Sequence, residues 1–250
     1  MNESLSQASL SRRLGTLVLA TLTATTIMGL SIPTDAWAAD ETRAVTGFQA
    51  VALEGAFKVK VSLADKEVVQ VSTPGTSDAA SSVETVVEDR KGVPTLIIRG
   101  PRNWSWRKTE ATVTVQGPQF RALTVAGSGD LDAHLSNQPA LMASVAGSGD
   151  LRVSGLTAHA VEVNVAGSGD VRIKGAAQNL SVNVAGSGDA WLQDLEAEDV
   201  RVSVAGSGDA RVNARQRLRV SVAGSGDVRW TGPATDVTSK VVGSGALRRL

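Results

Sequence analysis

The sequence predicts an all-β protein built as a parallel β-solenoid, or β-helix, with coils of about 20 residues. The hexapeptide Val-Ala-Gly-Ser-Gly-Asp occurs six times, and a seventh copy reads Val-Val-Gly-Ser-Gly-Ala; the copies end at residues 130, 150, 170, 189, 209, 227 and 246. Their spacing of 18 to 20 residues is typical of stacked units too small to bury a core alone. It is also too short for a pair of helices, which takes roughly 30 residues or more.

The residues around each copy alternate as a half-buried strand does. With the Asp as position 0, position −5 is always Val, position −7 is mostly apolar, and position −6 is Thr, Ser or Asn in six copies. Positions +1 and +3 are again mostly apolar. Each unit therefore reads as strand, tight Gly-rich corner, strand and a more variable return. The polar column at −6 is explained either as a stabilising side-chain ladder, which we favour, or as an external recognition strip.

The N-terminal segment, residues 1–38, has the layout of a secretory signal peptide. Arg12 and Arg13 precede an apolar stretch over residues 14–30, and Ala36-Trp37-Ala38 gives an A-x-A cleavage site. The alternative is an uncleaved membrane anchor, for which the stretch is at the short limit. We expect the mature chain, residues 39–250, to be one solenoid domain and not an integral membrane protein. The chain has no cysteine, so neither a disulfide nor a lipid-anchor cysteine is available.

Residues 39–120 are predicted to form irregular first coils with insertions, ahead of the regular coils over residues 121–250. Phe57-Lys58-Val59-Lys60-Val61 alternates with a period of two, as a strand should. When Val51–Phe57 is laid over Val125–Leu131, the Val, the Ala and the second Gly match, which suggests a degenerate copy of the repeat. Atypical terminal coils are expected, because an open stack of strands must cover its ends.

A column of aspartates is the sharpest chemical feature of the repeats. Carboxylates stacked ~4.8 Å apart repel by about 1 kcal/mol per neighbour in water. The predicted compensation is an arginine column at position +2, with hydrogen bonds from corner N–H groups as a second contribution. This structural ladder comprises Asp130, Asp150, Asp170, Asp189, Asp209 and Asp227 with Arg152, Arg172, Arg211 and Arg229. Asp132 and Trp191 are the exceptions in the arginine column.

The alternative interpretation of the aspartates is a calcium-binding repeat. Calcium-binding β-rolls have the form G-G-x-G-x-D with a nine-residue period. Here Asp follows Gly directly and the period is about twice as long. Because Ca²⁺ takes six to eight oxygen ligands, one Asp per coil beside an Arg is a poor cage. We therefore expect no metal and no cofactor.

A second candidate site breaks the repeat pattern. Two tryptophans lie among basic residues in the stretch 101–108, where indole rings could stack on a sugar or an aromatic ligand. The alternative is a loop that packs its indoles over the end of the stack. The candidate ligand-binding residues are Arg102, Trp104, Trp106 and Arg107.

Few residues suggest catalysis. His134 and His159 lie in variable segments and have no partner at a catalytic spacing. The motif Ala-Gly-Ser-Gly-Asp is not a Gly-x-Ser-x-Gly nucleophile elbow. A β-helix enzyme that acts on polysaccharides would need one irregular cluster of acids and bases. The formal net charge of zero also gives no reason to expect a nucleic-acid partner.

From Phe48 to Leu250 the sequence resembles the family described as putative auto-transporter adhesin, head GIN domain. The resemblance rests on the stretches 47–51 and 55–59, on Gly117-Pro118, on the Gly-Ser-Gly-Asp series and on residues 230–233. It implies a right-handed parallel β-helix, export to the envelope or outside, and no known catalysis.

We therefore expect a non-enzymatic, adhesin-like binding or scaffold protein of the periplasm or cell exterior. The expected partner is an envelope component or a glycan. The alternatives are a polysaccharide-acting β-helix enzyme and a calcium-binding repeat protein.

Overall fold

The structure, a computed structural model, describes residues 38–74, 82–100 and 111–250. Its strands form a 17-stranded sheet that is wound into coils, and these three ranges contain no α-helix. The first nine strands are β1 (Ala38–Arg43), β2 (Ala50–Glu54), β3 (Lys58–Leu63), β4 (Val68–Pro74), β5 (Glu84–Arg90), β6 (Val93–Arg99), β7 (Thr112–Gly117), β8 (Ala122–Val125) and β9 (Asp130–His134). The others are β10 (Gln138–Val145), β11 (Leu151–Gly167), β12 (Val171–Gly186), β13 (Ala190–Gly206), β14 (Ala210–Gly224), β15 (Val228–Thr231), β16 (Asp236–Gly243) and β17 (Leu247–Arg249).

Successive repeats lie directly on one another, which confirms the predicted parallel β-solenoid. Val165 pairs with Val184, and Val184 pairs with Val204. The predicted alternation holds too, since the Val column from Val125 to Val222 is at most 1% exposed. The core is thus a continuous stack of Val, Leu, Ile and Ala side chains inside the coils.

The return segment of each repeat is more regular than its sequence suggests. β11 to β14 continue through it as strands of 15 to 17 residues, so that Thr157, for example, pairs with Ala176. A nearly constant period brings equivalent segments together whatever side chains they carry. Where the repeat is shortest, between Asp209 and Asp227, the missing positions are absorbed by two register shifts in the pairing of β13 with β14.

The first coil is present, but its register differs from the one that sequence similarity suggested. Leu53 pairs with Val125 and Lys58 pairs with Asp130, so that Leu53, rather than Val51, stands beside Val125. Because the two registers differ by an even number of positions, the same residues still face inward. Gly55 then stands where Gly127 stands in the next coil, and its carbonyl accepts the N–H groups of Ser128 and Gly129.

The insertion between β3 and β8 covers the N-terminal end of the stack. β6 pairs with β2 and β7 pairs with β3, each on the edge away from the repeats. β5 then pairs antiparallel with β6, and β4 pairs antiparallel with β7. β1, which precedes β2 in the chain, pairs antiparallel with β4. β2 is also buried on both faces: Ala50 and Ala52 point outward, yet they are only 2% and 1% exposed.

The C-terminal coil is covered on one side only. β16 pairs with β14, and β17 pairs with β15. All eight residues of β16 are exposed, and Val241, in the otherwise buried Val column, is 39% exposed. Within the described ranges, no helix is long and apolar enough to cross a membrane.

Candidate functional site

The Gly-Ser-Gly-Asp corners form a column in which each copy is bonded to the next. The N–H groups of Ser148 and Gly149 both donate to the carbonyl of Gly127, at 3.0 Å, and the same pattern recurs along the stack. One carbonyl thus accepts two N–H groups, which closes the tight corner without leaving a buried donor unpaired.

Glycine is required in this column because the backbones come too close for a side chain. A Cβ added to Gly169 would lie 2.0 Å from the carbonyl oxygen of Gly149, and one on Gly188 would lie 2.2 Å from that of Gly169. These contacts are with rigid backbone. The repeated glycines are therefore explained by coil stacking alone.

The aspartate carboxylates also bind the backbone of the neighbouring coil. The Oδ1 atom of Asp189 accepts the N–H of Asp209 at 2.8 Å, and that of Asp209 accepts the N–H of Asp227 at 2.8 Å. In the last corner the N–H of Ala246 donates to Asp227 at 3.0 Å. The carboxylate thus satisfies the next corner, and Ala246 takes part through its N–H alone.

Arginines at position +2 lie beside these carboxylates, with one difference from the expected ladder. Arg229 contacts Asp227 at 3.2 Å and Asp209 at 3.0 Å, while Arg152 and Arg172 each contact the aspartate of their own coil. Arg211 instead lies over the ring of Trp191, 3.9 Å from its centre. The indole that interrupts the arginine column therefore holds the next arginine by a cation–π contact.

This column offers little free chemistry to a ligand. Most of its carboxylates already bind a backbone N–H group of the next coil, a guanidinium group, or both. In the described part of the chain, no three His, Asp or Glu side chains come together as a set of metal ligands.

A groove on a different face is the better candidate for a binding site. It runs across the outward side of β2, β8 and β10 and of residues 160–162, 179–181, 199–201 and 217–219. Its volume is about 850 Å³, within the roughly 300–1,000 Å³ of small-molecule sites. Ala122, Met142 and Ala160 lie in its floor, and arginines lie at its C-terminal end.

The tip of the β5–β6 hairpin forms one wall of the groove. Lys91 and Gly92 both have positive φ, 58° and 82°, as a two-residue type I′ turn requires. Positive φ is unfavourable for Lys, and here the turn is held by Asp89, which accepts the N–H of Gly92 at 2.8 Å. An ion pair between Arg90 and Glu54 fixes the tip to β2.

At the other end of the groove, Arg201 and Arg219 are paired residues on neighbouring strands. Beside them Arg217 binds both carboxylate oxygens of Asp199. This hydrogen bonding lowers the pKa of Asp199, with a smaller contribution from the charge of Arg219. The same bond raises the pKa of Arg217.

The sequence did not point to this groove. Its outward lining residues on the regular coils stand mostly at positions −8 and −10, whereas Thr124 belongs to position −6, the column considered as a possible recognition strip. A signal was present, however, because position −8 changes from Ala122 through Met142 and Glu162 to Arg201 and Arg219. The residues of the proposed tryptophan site, Arg102, Trp104, Trp106 and Arg107, lie outside the described residues, as does the predicted signal peptide up to residue 37.

The fold is a parallel β-solenoid with a groove on one side, and comparisons with known proteins agree with the solenoid fold. The model of the family described as "Putative auto-transporter adhesin, head GIN domain" matches residues 47–234. The chain belongs to this family. No curated protein matches it.

Solved structures of similar fold include two adhesins and a lipid binding protein, all three named as putative. The adhesin from Bacteroides fragilis is 20% identical, with a TM-score of 0.73 over 86% of this chain and 97% of that one. The adhesin from Parabacteroides merdae is 16% identical, with a TM-score of 0.66 over 86% and 97%. The lipid binding protein from Parabacteroides distasonis is 19% identical, with a TM-score of 0.65 over 85% and 96%. At these identities the similarity shows the fold alone.

Proposed function

We propose that the protein is an exported, non-enzymatic binding protein of the cell envelope or cell exterior, with an adhesin-like role. The observation that carries the proposal is the groove, an accessible concave surface on a stack whose other repeated features are used for folding. The names of the family and of its solved relatives, adhesin and lipid binding protein, describe binding rather than turnover. The predicted signal peptide supports export to the periplasm or beyond.

Retention on cell envelopes tests the proposal. Labelled protein lacking the predicted signal peptide, residues 39–250, is expected to bind isolated envelopes of the producing bacterium saturably. Ala160→Trp, which fills the groove floor, should reduce binding at least fivefold. His159→Trp, at the adjacent exposed position, is the matched control and should bind as the unchanged protein does. Absence of saturable binding, or release of sugars from envelope polysaccharides, would contradict the proposal.

The tryptophan stretch is retained as a second proposed contact surface. If Trp104 and Trp106 bind the same envelope component, their double substitution by Ala should weaken retention and leave the melting temperature unchanged. A large loss of thermal stability would instead assign both indoles to packing.

A further inference from the structure

The groove carries positive charge that its own carboxylates neutralise only in part. Arg201 and Arg219 stand side by side on paired strands, and both are exposed. Like charges on paired residues of neighbouring strands, about 4.8 Å apart along the backbone, repel each other. Within the described part of the chain neither arginine forms an ion pair with a carboxylate. Asp199, the nearest acid in the groove, is bound by Arg217 through both oxygens.

In the aspartate column, the repulsion between stacked like charges is compensated by contacts within the protein. There the charge of Asp209 is met by Arg229 and by a backbone N–H. The pair of arginines in the groove has only the nearby charge of Asp199, which acts on Arg219 but is itself bound by Arg217. An anionic group from outside the chain would supply it, with the planar guanidinium groups suited to carboxylate or phosphate oxygens.

The rest of the groove suits an apolar ligand body. The floor between β2 and β11 consists mainly of short side chains and of Met142, a flexible apolar side chain that is 42% exposed. Glu162, on β11, also lines it, and its carboxylate accepts a hydrogen bond from Asn164 at 2.9 Å. Towards β2 the groove is closed by the protein itself, since Ala50 and Ala52 are only 2% and 1% exposed. None of the described lining residues is aromatic. A glycan site would ordinarily offer rings for stacking on sugars.

The length of the groove matches one lipid chain. Five strand-to-strand steps of about 4.8 Å separate β2 from β13, which gives roughly 24 Å from the enclosed end to Arg201. One acyl chain spans about 15 Å, half of a bilayer core of ~30 Å. The remaining length is enough for a head group at the arginines.

We propose that the groove binds a single-chain lipid with an anionic head group. The acyl chain lies on the floor of Ala122, Met142 and Ala160 and points towards β2. The carboxylate or phosphate lies between Arg201 and Arg219. Lys91, on the hairpin tip, and Arg121 lie at the opposite end of the groove and do not contact the head group in this arrangement. This inference names the ligand class for the groove on which the proposed function rests.

Titration calorimetry with defined amphiphiles tests the inference. Dodecyl phosphate and a long-chain fatty acid, each below its critical micelle concentration, are expected to bind residues 39–250 with one site per chain. The double variant Arg201→Gln, Arg219→Gln should weaken both at least tenfold. The matched control Lys58→Gln, Lys60→Gln removes the same charge from exposed positions of β3 and should leave affinity unchanged. Inorganic phosphate and dodecanol, which carry only one half of the ligand each, should bind at least tenfold more weakly.

Three results would overturn the inference. One is equal affinity in the arginine variant and the lysine control. Another is tight binding of polygalacturonate, an acidic glycan without an apolar chain, with loss of binding in the arginine variant. The third is binding to phosphatidylglycerol vesicles without binding of monomeric amphiphiles, which would indicate a membrane-surface contact.

The two proposals can fail separately. Envelope retention that persists in the arginine variant, without amphiphile binding, would remove the lipid site and leave the binding function. Amphiphile binding without envelope retention would support the lipid site and contradict the proposed binding to the envelope.

Discussion

The corner column and the groove face run along the same coils, but their sequences behave in opposite ways. Every copy of the corner from Val125 to Asp227 reads alike, whereas the outward residues of the groove change from Ala to Met, Glu, Ser and Arg. In the corner, each backbone and carboxylate contacts the next copy. On the groove face, a side chain only has to point outward. Repetition in this solenoid marks what stacking requires, and variation marks a surface free to acquire a binding role.

The largest effect is expected from a side chain added inside the corner. Gly169→Ala places a Cβ 2.0 Å from the Gly149 carbonyl oxygen, so two coils must separate locally. We expect a loss of about 4 kcal/mol or more in unfolding free energy, measured by urea denaturation. Gly100→Ala is the matched control, since the nearest atom there is 3.9 Å away, and it should change stability by less than about 1 kcal/mol. Similar losses in the two variants would refute the stacking explanation.

An intermediate effect is expected from the aspartate column. Asp209→Ala removes the acceptor for the Asp227 N–H and one partner of Arg229. The expected loss is about 1–2 kcal/mol, because one backbone donor is left without its acceptor. Asp209→Asn retains an acceptor oxygen and should lose less stability than Asp209→Ala. Asp132→Ala removes a carboxylate that is 57% exposed and 3.8 Å from Arg152, and should cost less than about 0.5 kcal/mol. Equal losses of unfolding free energy in the Asp209→Ala and Asp132→Ala variants would show that the column contributes no more than ordinary surface charges.

The smallest effect is expected on the groove face. The hydrogen bond from Arg217 holds the pKa of Asp199 below its usual value of 3.8. A depressed folded-state pKa means that the pair stabilises the protein above pH 3.8 and loses this contribution as the pH falls through the folded value. NMR titration of the Asp199 carboxyl carbon should show a midpoint below 3.8, and Arg217→Gln should raise it with little change in melting temperature at pH 7. An unchanged midpoint in that variant would show that the bond does not set the pKa.

The repeat revealed the fold because each of its residues is required by the stacking of the coils. Val, Gly and Asp in fixed order identified the coil, its buried column and its corner. The register of the first coil was less readable, since Gly55-Ala56-Phe57-Lys58 retains little of the motif, and only the pairing of Leu53 with Val125 settled the offset. The stacking of Arg211 on Trp191 was equally hidden, because the arginine contacts the indole of the neighbouring coil instead of an aspartate.

The sequence by itself determined the solenoid, its period and the residues that point inward, because those follow from a local pattern repeated at constant spacing. Only the tertiary structure decided where a groove would form. The floor at Ala122 and Met142, the hairpin tip at Lys91 and the arginine pair belong to segments that lie far apart in the chain. What brings them together is the pairing of β6 with β2 and the stacking of the strands that follow. The stacking follows the repeat, but the pairing of β6 with β2, which places the hairpin tip beside the floor, leaves no periodic trace in the sequence.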